Sequence, residues 1–342
     1  MDGVAARDAG FRQRLFEETS SQMNVDPLIV EKDFWVCWTL HCLFSLPDLR
    51  KHLIFRGGTT LSKVYKVIHR FSEDIDLTVN RALLGFEGEN DPANITSNKK
   101  RDRLIKRMVA ECRQYVGSYL QPKLKEIFAS YLKVNNEPWD VVIDKQDEDG
   151  QTLLFLYPGA VELASGSYVD PLVKLEFGCR ADPWPTCKAK VKPYAAEYYP
   201  DVFKIKKECK VIALTAERIF WEKATILHQE ANRPINKPFK PRYFRRYYDL
   251  AMLAKSVFGD KAKKDYDLLE AVAQHKKLFF RCGWAKYEEA RPGMLHLSPP
   301  DFRLPELQKD YEDMQMMMFE EPPSFKEIIT ILSELESTIN NR

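Results

Sequence analysis

The sequence predicts an α+β protein: a sheet with helices over residues 51–212, a helical segment over 1–50 that packs on this core, and a mainly helical C-terminal domain over 213–342. Three observations carry that prediction. The short apolar run His52-Leu-Ile-Phe stops at Gly57-Gly58, as a buried strand entering a tight turn does. Asp74-Ile-Asp-Leu-Thr-Val and Leu172-Val-Lys-Leu-Glu-Phe alternate polar and apolar residues, the mark of half-buried strands. From about Leu214 the pattern is helical to the end, broken at Pro234 to Pro241 and near Pro292, Pro299 and Pro322.

Each element has its own warrant. In the first fifty residues, Asp26-Pro27 supplies a helix start, and Ile29, Val30, Phe34, Cys37, Trp38 and Cys42 predict one broad apolar face. After Gly57-Gly58 a helix beginning at Thr59 or Thr60 is expected, because Leu61, Val64, Tyr65 and Ile68 fall at i, i+3, i+4 and i+7. A further helix is expected around Leu104 to Tyr119. Trp139 to Asp144 and Thr152 to Tyr157, joined by the polar turn Asp147-Glu-Asp-Gly, read as a hairpin that extends the sheet. In the strand that follows, Lys174 and Glu176 share one face, while Val173, Leu175 and Phe177 share the other.

Composition narrows the class. With 44% hydrophobic and 30% charged residues, 342 positions are enough for a large core and two domains. The opening residues lack the apolar core of a signal peptide and no apolar run reaches membrane-spanning length, so the expectation is a cytoplasmic protein with no membrane partner. Seven scattered cysteines with no Cys-x-x-Cys spacing read as free thiols. The net charge of +2 conceals segregation: Ala231 to Leu250 carries six Lys or Arg against one Asp, and Asp301 to Arg342 ten acidic residues against four basic. Hydrolase and zinc-enzyme readings find no Gly-x-Ser-x-Gly elbow and no His-Glu-x-x-His.

The chemistry concentrates between Phe55 and Val79. Two glycines let backbone pass close to a ligand, and Gly57, Gly58, Thr59 and Thr60 form a candidate triphosphate cradle, with Ser72 adding a hydroxyl. The turn matches neither the dinucleotide fingerprint nor the Walker pattern. Asp74 and Asp76 then fall on one face of a strand, about 7 Å apart, close enough to share cations. Two like charges there are costly unless a divalent ion neutralises them, and carboxylate oxygens with phosphates suit Mg²⁺, with Mn²⁺ as the alternative ion. Glu176 is the candidate third carboxylate; the competing reading pairs it with Lys174 at the surface. Arg70 and Lys174 are candidate phosphate contacts. Lys237 to Tyr248 interleaves cations with aromatics in a way that suits unpaired bases, although Phe244, Tyr247, Tyr248 and Leu250 equally describe a helix's buried face.

Strand, Gly-Gly, helix, Asp-x-Asp and a later acidic strand residue resemble the mixed-sheet nucleotidyltransferase fold of polymerase beta and its relatives. The blocks "EKDFWV" at Glu31 to Val36, "FRGGTTLSKVY" at Phe55 to Tyr65, "HRFSEDIDL" at His69 to Leu77, "ERIFWEKATILHQE" at Glu217 to Glu230 and "PRYFRRYYDL" at Pro241 to Leu250 are more specific. In that order they resemble the AbiEii/AbiGii-like nucleotidyltransferase toxins of type IV toxin–antitoxin systems. The resemblance implies that Asp74, Asp76 and Glu176 are catalytic metal ligands, that Lys223 contacts nucleotide phosphate, and that Arg242, Arg245 and Asp249 complete the site from the helical half. Arg246 departs from relatives that often carry Asp or His there, which favours a positive contact over acid–base work. The resemblance further implies an NTP substrate, an RNA acceptor such as the tRNA 3′ end, a cognate antitoxin encoded nearby, and growth arrest or abortive infection as the outcome. A protein or small-molecule acceptor, and a catalytically silent RNA- or partner-binding protein, are the alternatives.

Overall fold

A computed structural model describes residues 1–132, 137–162, 170–204 and 207–341. The chain folds into two compact units: Met1–Val64, Phe71–Asp91 and Asp102–Ala213 make the first, and Tyr65–Arg70, Pro92–Arg101 and Leu214–Arg342 the second.

The chain begins with helices α1 (Asp2–Ala5), α2 (Ala9–Met23) and α3 (Pro27–Ser45), then β1 (Leu53–Arg56), α4 (Gly57–Lys63) and β2 (Ile75–Val79). Helices α5 (Asn98–Tyr115) and α6 (Gln121–Leu132) lead to β3 (Asp140–Ile143), β4 (Thr152–Leu156), β5 (Val173–Gly178), β6 (Thr186–Val191), α7 (Tyr194–Tyr198) and β7 (Cys209–Leu214). The sheet runs β3-β4-β5-β2-β1-β7-β6. Parallel pairing of β2 with β5 and of β1 with β7, beside antiparallel β1–β2, β3–β4 and β4–β5, makes it mixed. The second unit carries α8 (Ala216–Ala231), α9 (Arg245–Ala254), α10 (Val257–Ala262), α11 (Tyr266–Phe279), α12 (Leu304–Met314) and α13 (Phe325–Asn340), and is helical as the sequence predicts.

Helix α3 starts where its signals place it, with the Asp26 side chain accepting from Leu28 N–H at 2.8 Å and Pro27 in the first turn. The expected single apolar face is too narrow: every residue from Leu28 to Phe44 is buried, Glu31, Lys32 and Asp33 included. Trp35 and Trp38 meet edge-on at 5.4 Å between ring centroids, Trp38 lies 4.8 Å from Phe128, and Phe128 lies 4.6 Å from Phe155 of the sheet. Trp38→Ala is expected to cost about 3–5 kcal/mol by removing the centre of this cluster. Urea melts check it, and a loss below about 1 kcal/mol would show that the cluster collapses around the gap.

The helix after Gly57-Gly58 is shorter than its periodicity suggests. It ends at Lys63, and Lys66 takes a left-handed φ of 52° that breaks any continuation. Tyr65 belongs instead to the second unit, where its hydroxyl donates to Leu214 O at 2.7 Å and its ring meets Phe258 at 4.9 Å. The i, i+3, i+4, i+7 pattern is thus shared between a short helix and a loop that packs elsewhere. None of the seven cysteines is in a disulfide, and among the described residues no helix is long and apolar enough to cross a membrane.

Candidate active site

In the first unit, β1 delivers the chain to Gly57, whose φ of +81° lies in the left-handed region where a side chain is strained. The same glycine faces Asp76: a Cβ added there would fall 2.6 Å from the Asp76 Cγ and 2.9 Å from its Cβ, closer than atoms can pack. Only a bare backbone lets the turn sit against this carboxylate. Asp76 pairs across β2 with Arg56 on one side and with Glu176 of β5 on the other. Neighbouring strands lie about 4.8 Å apart, so directly opposed residues carry their carboxylates on one face of the sheet. Asp76 and Glu176 are half-buried while Leu77, Leu175 and Phe177 are buried, which keeps the acidic side toward water.

Asp74 lies one residue before β2 and is half-buried, beyond a buried Ile75. Its carbonyl accepts from the Thr59 hydroxyl at 2.5 Å, and Thr59 Oγ1 also meets Ser72 Oγ at 3.0 Å. Thr59 and Thr60, placed in the candidate cradle by the sequence, are 1% and 0% exposed and sit inside α4 rather than at its start. Thr59 therefore ties the helix to the loop ahead of Asp74, and the part of the turn left half-buried is Gly57 and Gly58. Helix α4 spans seven residues, too short for its dipole to hold a triphosphate unaided, so the close approach at Gly57 carries the cradle reading.

Lys174 joins these carboxylates. Its Nζ lies 3.0 Å from Glu176 Oε1 and 4.0 Å from Asp144 Oδ2. Burial pushes the Lys174 ammonium down, but Glu176, Asp74 and Asp144 outweigh it and hold its pKa above the ordinary lysine value. Among the described residues no three acidic, thiol or imidazole groups converge as a metal centre, and Glu176 is engaged by Lys174. The donor set is nonetheless all oxygen, and Mg²⁺ is commonly held through one or two carboxylates with the substrate's phosphates supplying the rest. Asp76 with its neighbours fits such an ion.

The second unit holds a different cluster. Asp249 of α9 accepts from Arg70 Nε and Nη2, each at 2.8 Å, and from Lys223 Nζ of α8 at 2.8 Å. Arg70 is 2% exposed and Asp249 1%. Burial raises the Asp249 carboxyl, and the Arg70 and Lys223 charges more than reverse it, so the group stays well below the usual carboxylate range. Lys223 is pushed below the ordinary lysine value, first by burial and then by Arg70 and Arg246, against the pull of Asp249. A carboxylate so firmly ionised does not exchange protons near neutrality; Asp249 orients Lys223 and Arg70.

Of the other positive candidates, Arg242 is exposed, with a left-handed φ of 61° and its N–H on Asp310 at 2.6 Å, and Arg245 opens α9 half-buried. The aromatics of this stretch pack inward. Phe244, Tyr247 and Tyr248 are buried, with Phe244 packed 5.1 Å from Phe325 and 5.3 Å from Tyr311, so the helix-face reading of this block holds. Arg246 lies over the Tyr243 ring at 4.8 Å. His228 is a packing histidine, its Nδ1 accepting from His296 N–H at 3.1 Å. Sequence reasoning gave no role to Lys32 and Glu73, although three consecutive charges inside an apolar helix were the available signal.

Residues 38–331 match the family model described as "Nucleotidyl transferase AbiEii toxin, Type IV TA system". No match was found among curated proteins. Among solved structures the chain is similar to MenT4, a nucleotidyltransferase toxin from Mycobacterium tuberculosis H37Rv, at 13% identity and a TM-score of 0.41 over 97% of this chain and 100% of that one. The family model spans most of the chain and carries the assignment. This protein belongs to the AbiEii nucleotidyltransferase toxins of type IV toxin–antitoxin systems.

Proposed function

We propose that the protein transfers a nucleoside monophosphate from an NTP to an RNA acceptor, the 3′ end of tRNA, in a Mg²⁺-dependent reaction that arrests growth or aborts phage infection. The observation that carries the reading is the Gly57 turn pressed against Asp76, with Asp76 directly opposite Glu176. The triphosphate lies along Gly57 and Gly58, and Asp74, Asp76 and Glu176 hold the divalent ion, which supplies charge neutralisation when bound. Lys174, displaced from Glu176, becomes available to phosphate. An acceptor hydroxyl forms the new bond to the α-phosphorus, the α–β bridging oxygen leaves with pyrophosphate, and the hydroxyl proton passes to water. Lys223, Arg242 and Arg245 are the cations assigned to developing negative charge, while Asp249, itself clamped by Arg70, holds Lys223 in place. The basic stretch from Ala231 to Leu250 supports a phosphate-rich acceptor. A cognate antitoxin is the expected protein partner.

Incubation with α-labelled NTPs and total RNA, and separately with a proteome, tests the acceptor; label entering only protein removes RNA from the reading. Sequencing of RNA 3′ ends after brief expression reports base choice and added length. Asp76→Asn is expected to abolish label transfer, a loss of at least about 10³-fold, with the melting temperature close to that of the unaltered chain. Undiminished transfer by this variant would contradict the role given to the carboxylate.

A further inference from the structure

Glu31, Lys32 and Asp33 follow one another on α3, and successive helix positions point about 100° apart, so three charges leave a buried helix in three directions. Each finds a different partner within the first unit. Glu31 accepts from the N–H groups of Ala160 at 2.7 Å and Val161 at 3.2 Å. Asp33 accepts from Lys63 Nζ at 2.6 Å, at the end of α4, and from Tyr194 N–H at 2.7 Å. Lys32 Nζ reaches Glu73 Oε2 at 2.5 Å and Asp170 O at 2.9 Å.

The Lys32 contacts are the informative ones. Glu73 is the residue before Asp74, and Asp170 lies on the approach to β5, three residues before its first position, Val173. Strands β2 and β5 run parallel, so their entries lie at the same end of the sheet, and one ammonium joins both. Asp74 falls outside the two ladders of β2, whose registers begin at Ile75 and end at Val79. Its placement therefore depends on what holds the loop ahead of the strand. Thr59 holds that loop through the Asp74 carbonyl, and Lys32 holds it through Glu73.

A buried ion pair is a poor means of adding stability, since an apolar side chain of the same volume avoids the desolvation cost and is often as stable or more so. What an ammonium adds is direction, because it fixes acceptors from two strand entries about a single point. Lys32 is 2% exposed, and its ammonium is engaged by Glu73 and by the Asp170 carbonyl.

We infer that Lys32 is a positioning residue for nucleotidyl transfer: its bonds to Glu73 and Asp170 set the strand entries that aim Asp74 and align β2 with β5. The inference rests on the reading of Asp74 and Asp76 as the carboxylates that serve the reaction. Asp33, through Lys63, fixes the other end of the same segment, where the chain leaves the first unit after Val64 before returning at Phe71.

The test uses the full-length protein, α-labelled NTP and the acceptor found above, at a temperature where melts show each variant folded. Lys32→Met and Glu73→Gln are each expected to lower kcat by about 10- to 100-fold with the acceptor KM unchanged. The double variant is expected to be no worse than the weaker single, as coupled partners require, and Lys32→Arg, which keeps the charge, to recover most of the rate. If the folded variants keep kcat within about twofold of the unaltered protein while melting lower, the pair is merely structural and the inference is overturned; additive losses overturn it too. Should Lys32→Met not fold, Glu73→Gln decides alone, because its partner lysine stays bonded to Asp170. Failure of the underlying reading is separately visible, as undiminished transfer by Asp76→Asn.

Discussion

Gly57→Ala is expected to abolish nucleotidyl transfer, with a loss on the order of 10²-fold or more in kcat, from the addition of one methyl group. Two independent features of the turn demand a bare α-carbon. The φ of +81° costs an L side chain about 1–2 kcal/mol, and the new Cβ would overlap the Asp76 carboxylate, so Asp76 must rotate away or the turn must back off. Either movement separates the cradle from the carboxylate it faces. The substitution is expected to lower stability modestly, by about 1–3 kcal/mol, so that folded protein remains to be assayed. Label transfer by purified Gly57→Ala at more than half the normal rate would show that the approach of turn to carboxylate is incidental to the chemistry.

Asp249→Asn is expected to lower stability as much as Trp38→Ala does. It removes the one carboxylate shared by Arg70 and Lys223 and leaves two cations in a buried setting, a situation that commonly costs about 3–5 kcal/mol. The pH dependence follows in sign. Asp249 has a folded-state pKa below its unfolded value of about 3.9, so its stabilising contribution is fully present above that value. It fades as pH falls through the folded-state pKa. Urea melts between neutrality and about pH 3 should show the unaltered protein losing stability toward acid, and the variant starting lower with a shallower acid slope. Equal slopes would mean that other carboxylates govern the acid limb.

The sequence disclosed local features well and distant ones poorly. Asp26-Pro27 marks the start of α3, and the alternation around Asp76 and Glu176 marks β2 and β5, because period-2 burial is written in consecutive residues. The hairpin of β3 and β4 was legible for the same reason. The helix after Gly57-Gly58 was read too long because Tyr65 and Ile68 are apolar for the sake of a different unit, and helical spacing does not reveal which neighbour a side chain will meet. The polar residues of α3 were invisible as buried groups, since pairing to Glu73, Lys63, the Ala160 N–H and the Asp170 carbonyl spans 30 to 138 positions of sequence. A separation of 179 positions hid the pairing of Asp249 with Arg70, and Phe244, Tyr247 and Tyr248, placed equally by either reading, are buried in the core.

The interleaved make-up of the second unit bears on synthesis. Arg70 emerges from a ribosome 179 residues ahead of the aspartate that neutralises it, an interval of roughly 10–40 s at ordinary elongation speeds. Until then the nascent polypeptide holds Tyr65–Arg70 and Pro92–Arg101 ahead of Leu214–Arg342, the largest segment of their unit. A product terminated ahead of Asp249 thus lacks the anchor that Arg70 and Lys223 share.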